Sequence, residues 1–315
     1  MIITGKNKKI KICDMSNFRM DFEFINFYEK PNDNSLYVRS IPNRERYELT
    51  EIDGVAGYWD KFDNCFFPLS LCQKIGNGMV GQPIVMPSLR ISDVEAYFYE
   101  RYEIFEKYFS NEVEYDFSTS EQELNELCEG EKFFNFISID MVDSTIRSRF
   151  LDSKTNSIIN RLFLNEVAEI IRRFDGCIFK FEGDGLIAYF TSDNLLSKID
   201  NSLESACVIK LFIENGINSF LEKKEMPKIY FRIGVNCGLG YISNVGTKNE
   251  IYSYDLNVTC KLQKFAKNNQ IIVGSSSVKL AHTMWRQKLK KIKINKRKLK
   301  KSGIDDKMEI YKLNV

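Results

Sequence analysis

The chain is nearly without histidine: among 315 residues there is one, His282. That excludes a His-rich zinc site and argues against a histidine-dependent triad, since each needs several imidazoles or a base with its own orienting partner. Chemistry must come from carboxylates, lysines, arginines and metal ions. Long apolar runs are also missing, and none approaches the ~20 residues of a membrane-spanning helix. The first residues, MIITGKNKKIKICD, lack a signal-peptide core, so a cytoplasmic location is expected. The eight cysteines are scattered and form no CxxC pair, which favours reduced thiols. Cys177, Cys207 and Cys260 lie among apolar neighbours and read as small core residues. A net charge of +2 gives no global argument for binding nucleic acid or membrane.

What is present divides into an irregular first part and a regular second part. Residues 1–90 alternate short apolar runs (22–27, 35–41, 58–71) with Asp, Asn, Pro and Gly, the pattern of a small β-containing region. KIGNGMVGQP (74–83) is glycine-dense but has neither phosphate-loop spacing, and is read as a loop. Within 92–109, Val94, Tyr97, Phe98, Tyr102, Phe105 and Tyr108 recur at helical spacing. The polar, acidic stretch 111–120 is the expected boundary, leaving residues 1–120 as an N-terminal region and 130–315 as the second domain. Ser120 and Glu123 have capping-box spacing for a short helix leading into Phe133.

The second part opens with a buried strand at Phe133–Ile139. Ile159, Phe163, Val167, Ile170, Ile171 and Phe174 then form one apolar helix face, which Gly176 ends. Cys177–Phe181 and Leu186–Phe190 read as strands joined by Glu182-Gly183-Asp184-Gly185, with glycines where positive φ is needed. A helix over about 195–221 follows, then a strand at Lys228–Asn236 and an extension at Gly240–Ser243 after a turn. Leu256–Lys267 reads helical, and Gln270–Val273 and Met308–Leu313 read as strands. The order β-α-β-β-α-β, with a further helix and strands, is that of an α+β, ferredoxin-like sheet backed by helices. KIKINKRKLKK (291–301) alternates like a half-exposed strand, so a solvated hairpin is expected there, not a nucleic-acid patch.

Two carboxylates stand out by position. Asp140 ends the first strand, and Asp184 sits in the glycine-flanked turn. Strand-end carboxylates beside backbone open to a phosphate are what two-metal chemistry on a nucleoside triphosphate requires. After Asp140 the chain enters a helix, where free N–H groups and the hydroxyls of Ser144 and Thr145 can hold a polyphosphate.

The ordered set FISIDMVDST, KFEGDG, FRIGVNCG and YDLNVTCKL resembles the catalytic domain of class III nucleotidyl cyclases over about residues 130–315. The resemblance implies conversion of a nucleoside triphosphate to its 3′,5′-cyclic monophosphate and pyrophosphate, with two divalent cations, Mn²⁺ or Mg²⁺. By position, Asp140 and Asp184 match the metal-ligating aspartates and Met141 the residue whose carbonyl assists them. Arg232 matches an arginine on the terminal phosphates, Lys180 the base-contacting lysine, and Asn257 the ribose-orienting asparagine. Lys261 stands where the family usually has an arginine on the α-phosphate; it supplies charge without a bidentate fork. Lys301, or equally Lys300, fits a C-terminal triphosphate lysine. Because the family builds each site from two protomers and this chain carries both halves, a homodimer with two equivalent sites is implied.

In an adenylate-type pocket an Asp or Thr stands seven residues before the asparagine; here that residue is Glu250. Its longer carboxylate narrows the pocket and accepts from uracil N3–H or the cytosine amino group. In being compact, cytoplasmic by expectation and without a membrane segment or familiar sensor module, the chain is similar to the Pycsar pyrimidine cyclases, bacterial antiphage enzymes that make cyclic UMP or cyclic CMP. An adenylate cyclase and an inactive cyclase-like dimeric binding module are the rival readings. A diguanylate cyclase would carry GGDEF or GGEEF where this chain has EGDGL.

Overall fold

Alternating burial along a single strand sets up the second domain. In β8 (Gly130–Met141), Ile137, Ile139 and Met141 face one core while Phe134 and Phe136 face another, as the two-residue pleat dictates. The computed structural model describes residues 2–5, 8–11, 19–30, 33–79, 91, 93–110, 124–191 and 195–315. These divide into two units, 1–86 with 282–284 and 87–281 with 285–315.

The first unit is built from hairpins. β1 (Ile2–Gly5) pairs with β2 (Lys8–Lys11), and β3 (Phe22–Lys30) with β4 (Asp33–Pro42). β5 (Tyr47–Ile52), β6 (Val55–Asp60) and β7 (Cys65–Pro68) form an antiparallel meander followed by α1 (Leu69–Met79). The β5–β6 turn is Asp53-Gly54, both at positive φ (52° and 77°), the pair that a tight hairpin turn favours. At the centre lies a fully buried Arg46, which donates to Asp60, Asp21 and Asp63 at 3.0 Å each. Those carboxylates are what make a buried guanidinium tolerable.

In the second unit the sheet order is β14-β15-β13-β11-β8-β10-β9, with β12 paired on β11. The strands are β9 (Cys177–Glu182), β10 (Gly185–Phe190), β11 (Phe231–Val245), β12 (Lys248–Tyr252), β13 (Gln270–Gly274), β14 (Leu289–Ile292) and β15 (Ile310–Leu313). Only the β11–β13 pairing is parallel. One face packs against α2 (Val94–Ser110), α4 (Ser153–Arg173), α5 (Leu195–Leu211) and α6 (Asn218–Lys223); α3 is the single turn Ser144–Arg147. Between α5 and α6 a π turn, Phe212–Ile217, replaces part of the continuous helix expected there. The opposite face carries α7 (Tyr254–Leu262), and the short helices α8 (Ser275–Leu280) and α9 (Lys296–Lys301) follow it in the chain.

Several expectations change in detail. Gly240–Ser243 does not follow a turn: β11 runs unbroken through it. Its glycines serve close packing, since a Cβ at Gly238 would fall 1.8 Å from an Asp255 carboxylate oxygen and one at Gly240 3.0 Å from Ile251. The first residues of KIGNGMVGQP belong to α1, and the rest lie outside the described residues, as does the Ser120/Glu123 capping box. The basic run is no hairpin: its first residues lie in β14, and Asn295 then caps α9 by accepting from Arg297 N–H at 2.8 Å. Reduced thiols hold for Cys72, Cys128, Cys177, Cys207, Cys237 and Cys260, but Cys65 is disulfide-bonded. Pairing is a tertiary property that spacing does not reveal.

The helix expected near 92–109 is α2, and it packs within the second unit, so the division between units falls at 86/87. A buried ion pair pins it. Arg101 donates to both Glu166 carboxylate oxygens on α4, at 2.8 and 2.7 Å, and Tyr108 Oη donates to the same group at 3.3 Å. Burial pushes the Glu166 carboxyl up while Arg101 pulls it down. Arg101→Met leaves that carboxyl buried without its cation, and a loss of about 3–5 kcal/mol is expected in urea unfolding. Adding Glu166→Leu should return much of it.

Candidate active site

Asp140 reaches its place because β8 is paired on both sides. It lies opposite Gly185 of β10 and opposite Arg232 of β11. The β9–β10 connection is the two residues Gly183-Asp184, with Gly183 at φ 63°, the glycine-first pattern of a type II′ turn. Gly185 serves a different need. A Cβ there would lie 2.5 Å from Ile139 O and 3.2 Å from Asp140 Cα, so glycine lets the Asp184 turn close onto Asp140. The two carboxylates expected to work together are therefore neighbours at one end of the sheet.

Their electrostatics follow from that placement. Burial raises the Asp140 carboxyl above the ordinary carboxylate range, Arg232 lowers it, and the charge of Asp184 adds to the rise. Arg232 donates to Asp140 through Nη2 at 2.6 Å and Nε at 3.3 Å. Arg147, which the sequence reading did not single out, also belongs here. Half-buried, it is held by Asn156, Asn160 and the Met141 sulfur, and burial draws its pKa down against the pull of Asp184. Its only signal was a position four residues after Asp143.

The donor set suits a divalent cation of oxygen preference: two adjacent carboxylates that repel until a cation lies between them. The Met141 side chain is buried in the other core, which leaves its backbone carbonyl as the group able to assist. Among the described residues no three His, Cys, Asp or Glu side chains converge, so remaining ligands must come from backbone, water or phosphate. Ser144 is half-buried and Thr145 exposed at the start of α3. At four residues α3 is shorter than expected, and it offers free N–H groups with little macrodipole.

The same face of the sheet carries the other candidates. α7 lies so close that a Cβ on Gly234 would fall 2.4 Å from Thr259 O. Its first turn is set by Ser253 Oγ, which accepts from Asp255 N–H and Leu256 N–H at 3.1 and 3.3 Å, and by Asn236 Nδ2 donating to Asp255 at 2.8 Å. With Leu256, Val258 and Leu262 buried, Asn257 is exposed and Lys261 half-buried one turn on. Lys261 Nζ lies where a Cβ on Gly303 (φ 70°) would meet it at 3.0 Å, beside the exposed Lys301 that ends α9.

Lys180 and Glu250 border a single cavity of about 200 Å³, with Phe179, Leu124 and Asn125. A bulge in β9 between the partners of Ile187 and Ala188 turns Phe179 toward this side with Lys180, the re-aiming that bulges produce. Lys180 Nζ sits 5.2 Å from the Phe179 ring centroid and 3.2 Å from Glu182. A larger cleft, about 640 Å³, opens between the start of α2 and the π turn. It is remote from the aspartate pair, and its Asp93 is spent capping α2. Three clusters result: Asp140, Asp184, Arg232 and Arg147; Lys180 and Glu250; and Asn257 and Lys261 near Lys301. No hydrogen bond or ion pair among the described residues links the first cluster to the other two.

Comparison with known proteins agrees with this geometry. Residues 136–315 match the model of the adenylate and guanylate cyclase catalytic domain. The cytidylate cyclase of Staphylococcus aureus is 27% identical over 151 residues, covering 45% of this chain and 34% of that protein, so the chain spans only about a third of that relative's length. The guanylyl cyclase Cya2 superposes with TM-score 0.52 at 17% identity, covering 59% of this chain and 94% of that one. The adenylyl cyclase CyaB of P. aeruginosa does so with TM-score 0.52 at 16% identity, covering 60% and 97%. These two share the fold. Among the described residues no helix is long and apolar enough to cross a membrane. With the family model covering more than half of its length, the chain belongs to the adenylate and guanylate cyclase catalytic domain family, the class III nucleotidyl cyclases.

Proposed function

We propose that this cyclase acts on a pyrimidine nucleoside triphosphate, UTP or CTP, and releases the 3′,5′-cyclic monophosphate and pyrophosphate. The observation that carries the reading is the Lys180–Glu250 cavity, a cation and a carboxylate around about 200 Å³. That lies below the ~300–1,000 Å³ of ordinary ligand pockets, a size suited to a single-ring base. The similarity to a cytidylate cyclase points the same way. A role as an antiphage second-messenger synthase follows from the resemblance to the Pycsar enzymes.

In the reaction the ribose 3′-oxygen attacks the α-phosphorus, and the bond from that phosphorus to the pyrophosphate oxygen breaks. Two divalent cations, Mn²⁺ or Mg²⁺, held by Asp140, Asp184 and the Met141 carbonyl, would activate the hydroxyl and neutralise the polyphosphate. Arg232 rests on Asp140, so its guanidinium is stored beside the phosphate site and becomes available once another cation takes up the carboxylate charge. Arg147 adds positive charge that Asp184 feels. Ser144 and Thr145 supply hydroxyl donors to the polyphosphate. Lys261, with Lys301 close by, offsets charge building on the α-phosphate and the leaving group. Asn257 orients the ribose, an arrangement that costs little at reaction because α7 is already clamped to the sheet. The separation of the clusters in one chain fits sites completed across a homodimer, the carboxylates from one protomer and Lys180, Glu250, Asn257 and Lys261 from its partner.

Incubation with each of the four nucleoside triphosphates and Mn²⁺, with products identified by mass spectrometry, should yield cyclic UMP or cyclic CMP; cyclic AMP alone would sink the pyrimidine reading. Asp140→Asn or Asp184→Asn should cut kcat/KM at least about a hundredfold without lowering Tm appreciably. Arg232→Met separates storage from binding: calorimetry should show Mn²⁺ held at least about threefold more tightly, as the competing cation is gone, while turnover falls. Mixing inactive Asp140→Asn and Asn257→Ala chains should restore roughly a quarter of wild-type activity, since half the dimers are mixed and each has one intact site. No recovery would argue that each protomer works alone.

A further inference from the structure

One residue bordering the base cavity lies ahead of the family-matched segment. Asn125, in the helical turn 124–126, faces the same cavity as Lys180 and Glu250. β12 holds it there. Asn249 N–H donates to Asn125 Oδ1 at 2.9 Å, and Asn249 Nδ2 donates to the carbonyls of Leu124 and Leu127 at 3.1 and 3.2 Å. A backbone N–H can only donate, so the amide atom it meets must be the oxygen. That fixes the orientation of an amide whose two ends otherwise look alike. The Asn125 Nδ2 group is then the end left over, and no hydrogen bond among the described residues uses it.

We propose that Asn125 is a specificity-determining residue whose Nδ2 donates to a carbonyl oxygen of the pyrimidine; this rests on the cyclase reading above. The donor and acceptor count supports it. Lys180 and Asn125 donate and Glu250 accepts, while Asn249 has its amide nitrogen committed to backbone carbonyls. Cytosine and uracil each present two acceptors and one donor on the pairing edge, so they match this excess of donors. Guanine presents one acceptor and two donors, the reverse, and adenine one of each. Asn125 therefore completes a pocket that Lys180 and Glu250 leave one donor short.

The test is steady-state kinetics of the full chain with UTP, CTP, GTP and ATP in Mn²⁺, products identified by mass spectrometry, for wild type, Asn125→Asp and Asn125→Ala. Asn125→Asp keeps an oxygen for Asn249 N–H but exchanges the donor for an acceptor. It should raise KM for the preferred pyrimidine triphosphate about tenfold and raise turnover of GTP relative to the pyrimidine by about the same factor. Asn125→Ala should raise KM severalfold with no gain for GTP. A role confined to the clasp would disturb Asn125→Ala more than Asn125→Asp, since only Asn125→Asp keeps the oxygen for Asn249 N–H; a gain for GTP in Asn125→Asp alone marks contact with the base. If wild type makes a cyclic pyrimidine nucleotide and both variants stay within twofold in KM and in product ratio, Asn125 has no such role and the cyclase reading survives. If wild type makes only a cyclic purine nucleotide, or none, both fall together.

Discussion

The ion pair between Arg232 and Asp140 is the interaction on which the site depends, and it exists because β11 and β8 are paired in one register. Arg232 stands opposite Asp140 and Phe231 opposite Met141. A slip of one residue would turn every alternate side chain to the other face. Asp140 would then enter the apolar core that holds Ile139 and Met141, and the carboxylate pair would be lost. The register is secured by burial on both faces of β8, so the hydrophobic pattern that folds the sheet also aims Asp140.

Charge balance explains the rest of that end of the sheet. Two carboxylates in a half-buried place repel, and the chain answers with two arginines rather than leaving the charges open. Arg232 caps one aspartate, and Arg147, in a helical turn tied to α4 through Asn156 and Asn160, feels the charge of the other. Such a site is close to neutral at rest and attracts a polyanion with its cations more than either alone.

The proposed base specificity would rest on different forces. The proposed base cavity draws Lys180 from a bulged strand, Glu250 from β12 and Leu124 and Asn125 from a turn clasped to β12 by Asn249. Asn125 and Asn249, which clasp it, are 124 residues apart in the chain. Small changes in the bulge or in that clasp would alter which base edges fit without touching the carboxylates, so reaction and substrate choice are separable here.

Much of this was legible in residue order. Asp140, Asp184 and their glycines stand where a strand end and a tight turn need them, and the 3-and-4 spacing of Ile159, Phe163, Val167, Ile170 and Phe174 marks a helix whatever lies around it. Those are local properties of the backbone and of apolar periodicity. Arg147 and the two roles of Gly183 and Gly185 were not legible, nor was the unbroken run of β11 through its glycines, because each depends on a neighbour distant in sequence. The place of α2 was settled by the buried Arg101–Glu166 pair, which no single stretch encodes. Sequence alone determined which chemistry the chain can support, since residue types and their local spacing carry it. Tertiary structure decided which cation meets which carboxylate and what borders the base cavity, because those contacts arise only when strands far apart in the chain pair in one register.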